Sequence, residues 1–512
     1  MNTHSLTSRP NSARQARDFR KNLFLLVPFV GVGIAIVILF CPLMQNTLST
    51  TSATSVPAQT AIVSSINQGF WHTECNSIID VNGSSIRISG VNWSGFETAN
   101  MVPGGLRVQD YRSILREIRV AGYNTVRVPF SNQMVETPIV PSDIRFENAV
   151  GEAINQDLID LDAMQILDHI IDAAGQAGLK VILDNHRSEA GSSAEENGLW
   201  YTGQYPESSW IADWMTLAGR YKGNSTVVGF DLRNEPHNAN QGGSCWSCGG
   251  ATDWHLAAQR AGDAILRINP GLLIFVEGTD TVDTESDFWG GNLAGVRTAP
   301  VHLSIPGRLV YSVHVYGPTE YQQNWFNAST TAASLSALYH RHWGFISESG
   351  IAPVWIGEFG TPNSDADVSS AEAGSEGQWF QTLVAYLGSH SNIGWSYWSI
   401  NGEDRYGLLG VSYSATPANA LKAKALASIR FSGSNDFKTA STFTQPSYTP
   451  GAFVVPPAPK VIYRPAFLSP AARVKGKADV RRDISAESAV ENAIAKQVRR
   501  ATVRALNNLP KD

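Results

Sequence analysis

Apolar and polar positions alternate in a regular way from residue 69 to about residue 431. Short apolar runs are separated by longer stretches in which apolar residues recur with the helical period of about 3.6 residues. Short apolar runs bounded by turn residues are typical of strands that are buried in a parallel sheet. The pattern predicts strands at residues 86–93, 124–130, 180–185, 227–234, 272–277, 309–315, 354–358 and 394–398.

Helices are predicted between most of these strands, including residues 111–121, 158–177, 253–268 and 377–388. Eight strands that alternate with helices indicate an α/β fold, and specifically the (β/α)8 TIM barrel. A doubly wound sheet is the competing arrangement. It is disfavoured because no glycine-rich phosphate-binding loop follows the first strand.

The amino-terminal segment has a different pattern. Residues 1–22 are polar and basic, whereas residues 23–44 contain no charged side chain. About 20 apolar residues can cross a bilayer, and the apolar part of a signal peptide is usually about 7–15 residues long. Because the basic residues come first, we expect residues 1–22 to stay in the cytoplasm and the rest to be exported to the periplasm or the cell exterior. Residues 23–44 are predicted to be a membrane anchor, or a signal peptide cleaved near Ala58 or Ala61.

Composition separates the flanks from the body of the chain. Residues 45–68 are rich in Ser and Thr and are predicted to be a linker, whereas residues 69–431 hold the barrel. Residues 432–512 begin as a Pro-, Ser- and Thr-rich linker and end in a basic tail, which we expect to be disordered. The net charge is −6, but residues 1–60 carry +4 and residues 431–512 carry +7, which leaves −17 on residues 61–430. An acidic body argues against a nucleic-acid partner.

Two glutamates stand at the ends of predicted strands. Glu235 lies in an Asn-Glu-Pro sequence, and Pro236 is expected to end its strand because proline has no N–H group to donate. Glu358 lies at the end of the run Val-Trp-Ile-Gly-Glu. A single glutamate in such a place is often a satisfied surface carboxylate. A pair is what glycoside hydrolysis requires, with one acid and one nucleophile or base.

Other strand ends carry polar or aromatic residues that would meet at the same mouth of a barrel, where barrel enzymes keep their chemistry. These residues are Arg127, His186, Asn234, His314, Tyr316 and Trp398. A lone histidine at a strand end is usually structural. With Glu358, these residues form a coherent polar set at six strand ends, which favours an active site.

Together with Glu235 and Glu358, these residues resemble glycoside hydrolase family 5, also called cellulase family A, and in particular its bacterial endo-β-1,4-glucanases. The resemblance covers about residues 70–429 and includes the sequences Val228-Gly-Phe-Asp-Leu-Arg-Asn-Glu-Pro-His237 and Leu273-Ile-Phe-Val-Glu-Gly278. It implies a retaining hydrolase that cleaves internal β-1,4-glucosidic bonds without a cofactor or a metal.

The resemblance also implies a role for each residue. Glu235 would be the acid/base and Glu358 the nucleophile. Asn234 would hold the sugar 2-hydroxyl, Arg127 and Tyr316 would flank the nucleophile, His186 and His314 would line the reacting subsite, and Trp398 would stack beneath the sugar. Trp289, Trp200 and Trp246 lie in predicted loops and are candidate platforms for further sugars.

The cysteines depart from the family pattern. Cys245 and Cys248 lie in the loop after the fourth strand, where the resemblance implies a short disulfide. Zinc is an alternative, but Cys75 and Cys41 do not obviously complete a set of four ligands, and a redox pair would need a thioredoxin-like context. Glu97-Thr-Ala99 has no cysteine where the resemblance implies a second bridge in some relatives, and the partner of Cys75 stays open.

Two other functions remain open on the sequence. The substrate could be another β-linked polysaccharide, such as mannan, xylan or mixed-linkage glucan, because the barrel is shared and the loops select the substrate. The chain could also be a glycan-binding barrel without catalysis, although the presence of both glutamates and their neighbours argues against it.

Overall fold

The computed structural model describes residues 69–431. The predicted cytoplasmic segment, the apolar segment 23–44, the linker 45–68 and the tail 432–512 lie outside the described residues, so these predictions are not tested by the structure. Within residues 69–431, no helix is both long and apolar enough to cross a membrane.

Eight parallel strands form a closed barrel, which confirms the predicted TIM-barrel architecture. Each strand pairs with the next one along the chain, and β8 pairs with β1 to close the ring. The strands are β1 (Ser89–Asn92), β2 (Thr125–Ser131), β3 (Lys180–Arg187), β4 (Val227–Asp231), β5 (Leu273–Glu277), β6 (Leu309–His314), β7 (Val354–Glu358) and β8 (Gly394–Tyr397).

Helices fill most of the connections. They are α1 (Tyr111–Val120), α2 (Asn132–Glu136), α3 (Ala163–Gln176), α4 (Glu207–Arg220), α5 (Trp254–Ile268), α6 (Ala332–Tyr339), α7 (Phe345–Glu348), α8 (Asp365–Ser369), α9 (Glu376–Ser389) and α10 (Ala420–Ala427). A π-helical turn, His340–Gly344, joins α6 to α7, and short 3-10 turns occur at Gln156–Leu158, Ala239–Gln241 and Ala294–Arg297.

The sequence pattern misplaced some element boundaries. The predicted helix 158–177 begins five residues later, because the Asp162 side chain accepts a hydrogen bond from the backbone of Gln165 and Gln165 bonds back to residue 162. This capping box fixes the first turn of α3. The predicted strand 86–93 is also too long. Residues Ser85–Ile86 belong to a separate antiparallel sheet with His72–Glu74 and Ser77–Ile79.

That small sheet closes the amino-terminal end of the barrel. Trp71, Ile78 and Ile86 pack in one buried cluster with residues near the amino-terminal ends of the barrel strands, among them Val228 and Leu273. A larger apolar layer fills the space between the strands and the helices. Because the amino-terminal end is plugged, the carboxyl ends of the strands form the mouth in which a site can be built.

Candidate active site

Glu358 is the last residue of β7, and only 4% of its surface is exposed. Its Oε1 accepts a hydrogen bond from Nη1 of Arg127, which comes from the middle of β2. Its Oε2 accepts a hydrogen bond from the hydroxyl of Tyr316 at 2.9 Å. Both oxygens of this carboxylate are therefore held by donors. Arg127 and Tyr316 lie beside Glu358, where the resemblance places them.

Glu235 is not the last residue of a strand, contrary to the prediction from the sequence. The β4 ladder ends at Asp231, and Glu235 lies in the following segment with a left-handed backbone at φ +51°. Its Oε1 lies 3.0 Å from Nδ1 of His314, the last residue of β6. The sequence pattern failed here because residues 232–234 stay buried after the chain has left the ladder, so the apolar Leu232 looks like the continuation of the strand.

The two carboxylates face each other across the mouth. An oxygen of Glu235, an oxygen of Glu358 and a ring nitrogen of His314 all lie within 4.8 Å of one another. His314 Nδ1 lies 3.5 Å from Oε2 of Glu358, so the same nitrogen faces both glutamates. His314 is completely buried.

The buried Arg127 connects the site to the rest of the barrel. Its Nε donates to Oδ2 of Asp231 at 2.9 Å, and its Nη1 donates to Oδ1 of Asn92 at 3.1 Å. Its Nη2 donates to Oδ1 of Asn234 at 3.0 Å and lies 3.0 Å from Oδ1 of Asp184. A side chain held by partners on several strands cannot reorient, so Arg127 presents a fixed positive charge to Glu358.

The prediction from sequence missed four of the residues around Arg127. They are Asn92, Asp184, Asp231 and Glu277, all buried. Three of these four are the final residues of their strands, namely Asn92, Asp231 and Glu277. The strand-end argument that identified Glu358 also points to Glu277, the last residue of the predicted strand 272–277, whereas Asn92 and Asp231 lie inside the predicted strands 86–93 and 227–234.

The three acidic residues in this set lie close together. Asp184, Asp231 and Glu277 bring carboxylate oxygens within 4.8 Å of one another, a spacing that a cation could bridge. The guanidinium group of Arg127 already contacts all three, at 3.0, 2.9 and 3.3 Å. The arginine therefore supplies the positive charge that this cluster needs.

The environment shifts the pKa values of the two glutamates in opposite directions. Burial raises the pKa of Glu235, and the negative charges of Glu358 and Glu277 raise it further, against the opposing effect of His314. Burial would also raise the pKa of Glu358. There, however, the charges of His314 and Arg127, with further help from other donors, outweigh burial and hold the pKa below its ordinary value. Glu235 is thus suited to carry a proton and Glu358 to stay ionised.

Residues 80–404 match the family model described as cellulase (glycosyl hydrolase family 5). This match covers more than half of the chain and includes both glutamates. The chain belongs to glycosyl hydrolase family 5.

Two proteins to which the chain is similar are named endoglucanases. The chain is 44% identical over 338 residues to an endoglucanase of Paenibacillus polymyxa. The aligned region covers 65% of this chain and 80% of that protein. It is 35% identical over 369 residues to the major extracellular endoglucanase of Xanthomonas campestris pv. campestris, covering 70% and 71% of the two chains. The solved structure of an endocellulase from Pyrococcus horikoshii in complex with cellotetraose is also similar. It shows a TM-score of 0.63 and 33% identity, over 70% of this chain and 98% of that one.

His186 and Trp398 form one side of the mouth of this family 5 barrel. Their rings stack with centroids 5.6 Å apart and planes inclined by 19°. His186 Nδ1 lies 2.7 Å from Oδ2 of Asp184, and the Trp398 indole donates to Oδ2 of Asp404 at 2.9 Å. Burial lowers the pKa of His186, but the charges of Asp184 and Glu358 outweigh burial and raise it. Both rings are therefore fixed in orientation beside Glu358.

The three loop tryptophans that were candidate sugar platforms differ in exposure. Trp289 is 45% exposed and stacks on His237 with centroids 3.8 Å apart. Trp200 is completely buried and donates to Glu207, and Trp246 is 9% exposed and donates to the carbonyl of Ala299. Trp200 and Trp246 are thus packing residues, and their assignment as platforms was wrong. Sequence periodicity in loops carries no information on which face of a ring is covered.

The sulfur atoms of Cys245 and Cys248 are bonded in the loop after β4, with Cα atoms 6.0 Å apart. The pair lies close to α5, because the carbonyl of Cys245 accepts from the backbone of Trp254 at 3.0 Å. No cysteine in residues 69–431 is free.

Proposed function

We propose that this family 5 barrel is an endo-acting β-1,4-glucanase that cleaves internal bonds of cellulose or related β-glucans with retention of configuration. The observation that carries the proposal is the pair of facing glutamates whose pKa values are shifted in opposite directions. The substrate class is supported by relatives that are named endoglucanases and by the cellotetraose bound in a similar structure.

In the first step, Glu235 donates its proton to the glycosidic oxygen while an oxygen of Glu358 attacks the anomeric carbon. The bond between that carbon and the leaving oxygen breaks, and a covalent glycosyl-enzyme forms. Inverting hydrolases hold their carboxyl groups about 6.5–9.5 Å apart to leave room for water, whereas retaining ones hold them at about 5–5.5 Å. The separation of at most 4.8 Å between oxygens of Glu235 and Glu358 supports direct attack by the carboxylate.

In the second step, Glu235 is ionised and takes a proton from a water molecule, which attacks the same carbon and releases Glu358. Two inversions restore the β-configuration. The donors to Glu358 support its role as leaving group, because Arg127 and Tyr316 stabilise the carboxylate as it reappears.

Binding of the glucan would use both polar and aromatic side chains of the mouth. Asn234 accepts a hydrogen bond from Arg127 through its side-chain oxygen, which leaves its amide nitrogen to contact the sugar 2-hydroxyl. Trp398 and Trp289 offer flat apolar faces that suit the C–H faces of glucose rings. His186 and His314 would line the subsite in which the reacting sugar lies.

We also propose that the enzyme is exported by residues 23–44, either anchored by them or released after cleavage. The uncharged length of this segment and its basic flank support the proposal. The bond between Cys245 and Cys248 is consistent with it, because disulfides persist in oxidising compartments outside the cytoplasm.

The test uses the purified full-length chain on soluble carboxymethyl-cellulose, barley β-glucan, mannan and xylan. We expect viscosity to fall faster than reducing ends appear on the two glucans, since internal cleavage shortens chains early. Hydrolysis confined to mannan or xylan would assign another substrate. Absence of hydrolysis on all four would favour a binding barrel.

The roles of the glutamates are tested by substitution. Glu235→Gln should reduce turnover of β-glucan by about 10²- to 10⁴-fold, and Glu358→Gln at least as much. Glu74→Gln is the control, because Glu74 is exposed on the sheet that closes the opposite end of the barrel. A slow fluorinated cellobioside should label Glu358, and the first product seen by NMR should be the β-anomer. An α-anomer, or a label on another residue, would overturn the assignment.

A further inference from the structure

Glu277 is the last residue of β5, and its side chain is completely buried. A buried carboxylate is stabilised only when nearby donors or positive charges compensate for the loss of water. The environment of Glu277 is therefore informative, because its partners are all members of the site described above.

Three contacts connect Glu277 to that site. Its Oε2 accepts a hydrogen bond from the backbone N–H of Glu235 at 2.8 Å. Its Oε1 lies 3.2 Å from Nε2 of His314, at an angle that makes this an ion pair rather than a well-aligned hydrogen bond. The same oxygen accepts from Nη2 of Arg127 at 3.3 Å.

The contact with Glu235 fixes an unfavourable backbone conformation. Glu235 has φ +51°, a left-handed conformation that is unfavourable for a residue other than glycine. The hydrogen bond from its N–H group to Glu277 compensates for part of this cost and sets the direction in which its side chain leaves the backbone. Gly290 leaves space for the arrangement, because a Cβ at that position would collide with Oε2 of Glu277.

The contact with His314 has an electrostatic effect. Burial lowers the pKa of His314, but the negative charges of Glu277 and Glu358 outweigh burial and raise that pKa well above its ordinary value. Of these two carboxylates, Glu277 faces Nε2 while Glu358 faces Nδ1. Glu277 thus acts on the ring from the side opposite to the two reacting carboxylates.

We propose that Glu277 is a positioning residue for the reaction, which orients the acid/base Glu235 through its backbone N–H group and holds the ring of His314 from the side opposite to Glu235 and Glu358. The proposal rests on the proposed function, because it assigns Glu277 a role in that chemistry. A simpler role as counter-ion of Arg127 does not account for the contacts, since Asp184 and Asp231 already face that guanidinium group.

The charges around each group determine the expected effect on pH dependence. Glu277 faces Arg127 and His314 and lies beside Asp184 and Asp231. Removing its charge takes away one of the negative charges that raise the pKa of Glu235.

The other groups that face Glu235 stay in place after that change. They are His314, Glu358 and Tyr316. The alkaline limb of the activity profile, which follows the loss of the proton from Glu235, should therefore move to lower pH while His314 keeps its proton. Once His314 loses its proton in the variant, the limb should move to higher pH, because His314 acts on Glu235 more strongly than Glu277 does.

The test compares the full-length wild type with Glu277→Gln on barley β-glucan as a function of pH. The amide keeps the size of the side chain and an oxygen that can accept from Glu235, but it removes the charge. We expect kcat to fall by about 10- to 100-fold with little change in KM, because the lost charge changes how firmly His314 and Glu235 hold their protons and so impairs the chemical step. The alkaline limb should move in the direction that the protonation state of His314 sets.

Glu195→Gln is the matched control. Glu195 is also a buried carboxylate that accepts a backbone N–H, from Ser188 at 2.9 Å, and pairs with a buried arginine, Arg233, at 3.1 Å. It has no contact with the glutamates of the site. A structural effect alone would lower the stability of both variants and leave the shape of both pH profiles unchanged, which would overturn the proposal.

A second readout does not depend on turnover. In protein with isotope-labelled histidine, NMR should show His314 protonated well above pH 6.5 in the wild type and titrating at a lower pH in Glu277→Gln. His314→Asn assigns the signal. An unchanged His314 titration in Glu277→Gln would overturn the proposal, whether or not the wild type is active. A wild type that is inactive on every glucan would refute the proposed function instead.

If Glu277→Gln does not fold, Glu277→Asp replaces it. The shorter side chain keeps the charge but does not reach the N–H group of Glu235. We expect kcat to fall while His314 stays protonated. Wild-type kcat in this variant would overturn the positioning role.

Discussion

The hydroxyl of Tyr316 gives a direct test of how the structure keeps Glu358 ionised. Tyr316→Phe removes the single hydrogen bond of 2.9 Å to Oε2 of Glu358 and leaves the ring in place, since the ring stacks on Tyr406 with centroids 6.1 Å apart. Burial raises the pKa of Tyr316 well above its ordinary value, so its hydroxyl donates throughout the working pH range. The variant therefore changes one donor and little else.

The size of the effect follows from the strength of that hydrogen bond. A hydrogen bond to a charged group contributes about 1.5–3 kcal/mol, and about 1.4 kcal/mol corresponds to one pH unit. The pKa of Glu358 in the variant should rise by about one to two units. The proposed mechanism requires Glu358 to be ionised, so the acidic limb of the pH profile should move up by the same amount. The alkaline limb, which reports Glu235, should move much less.

The assay is kcat/KM on barley β-glucan across the pH range in which the protein stays folded. Tyr406→Phe is the control, because its hydroxyl donates to Glu320 at 2.8 Å and not to Glu358. An acidic limb that stays in place in Tyr316→Phe would refute the reasoning. A shift of the same size in both variants would show that packing of the two rings, and not the hydrogen bond, controls Glu358.

Two further predictions follow from the described residues. Burial raises the pKa of Asp213 to about 7, so folding favours its protonated form. This contribution to stability is complete below the unfolded pKa of 3.8 and is lost as the pH rises through 7. Asp213→Asn should reduce the drop in the free energy of unfolding between pH 5 and pH 7 by about 2–3 kcal/mol in urea titrations, and an unchanged drop would contradict this. Trp289→Ala should raise KM for β-glucan about 2- to 12-fold with little change in kcat, because an aromatic contact contributes about 0.5–1.5 kcal/mol. The control Leu256→Ala on α5 should change neither parameter, and an unchanged KM in Trp289→Ala would show that Trp289 does not contact the substrate.

The barrel could be predicted from sequence because each strand is a local signal. Val354–Glu358 has the predicted bounds, since a short apolar run between polar residues depends only on its near neighbours. The prediction failed at the end of β4, where the chain leaves the ladder at Asp231 and turns at Glu235. That turn is fixed by Glu277, a residue 42 positions away, and no local pattern encodes it.

The sequence by itself determined the architecture and identified the two glutamates as candidates, because residue type, spacing and strand ends are properties of the chain. Only the tertiary structure decided that Trp200 is buried and Trp289 exposed, and that Glu235 and Glu358 differ in pKa. Burial and electrostatics depend on distances in space. Arg127 and Glu358 are separated by 231 positions in the chain, yet they form a hydrogen bond because closing the barrel brings their strands to one mouth.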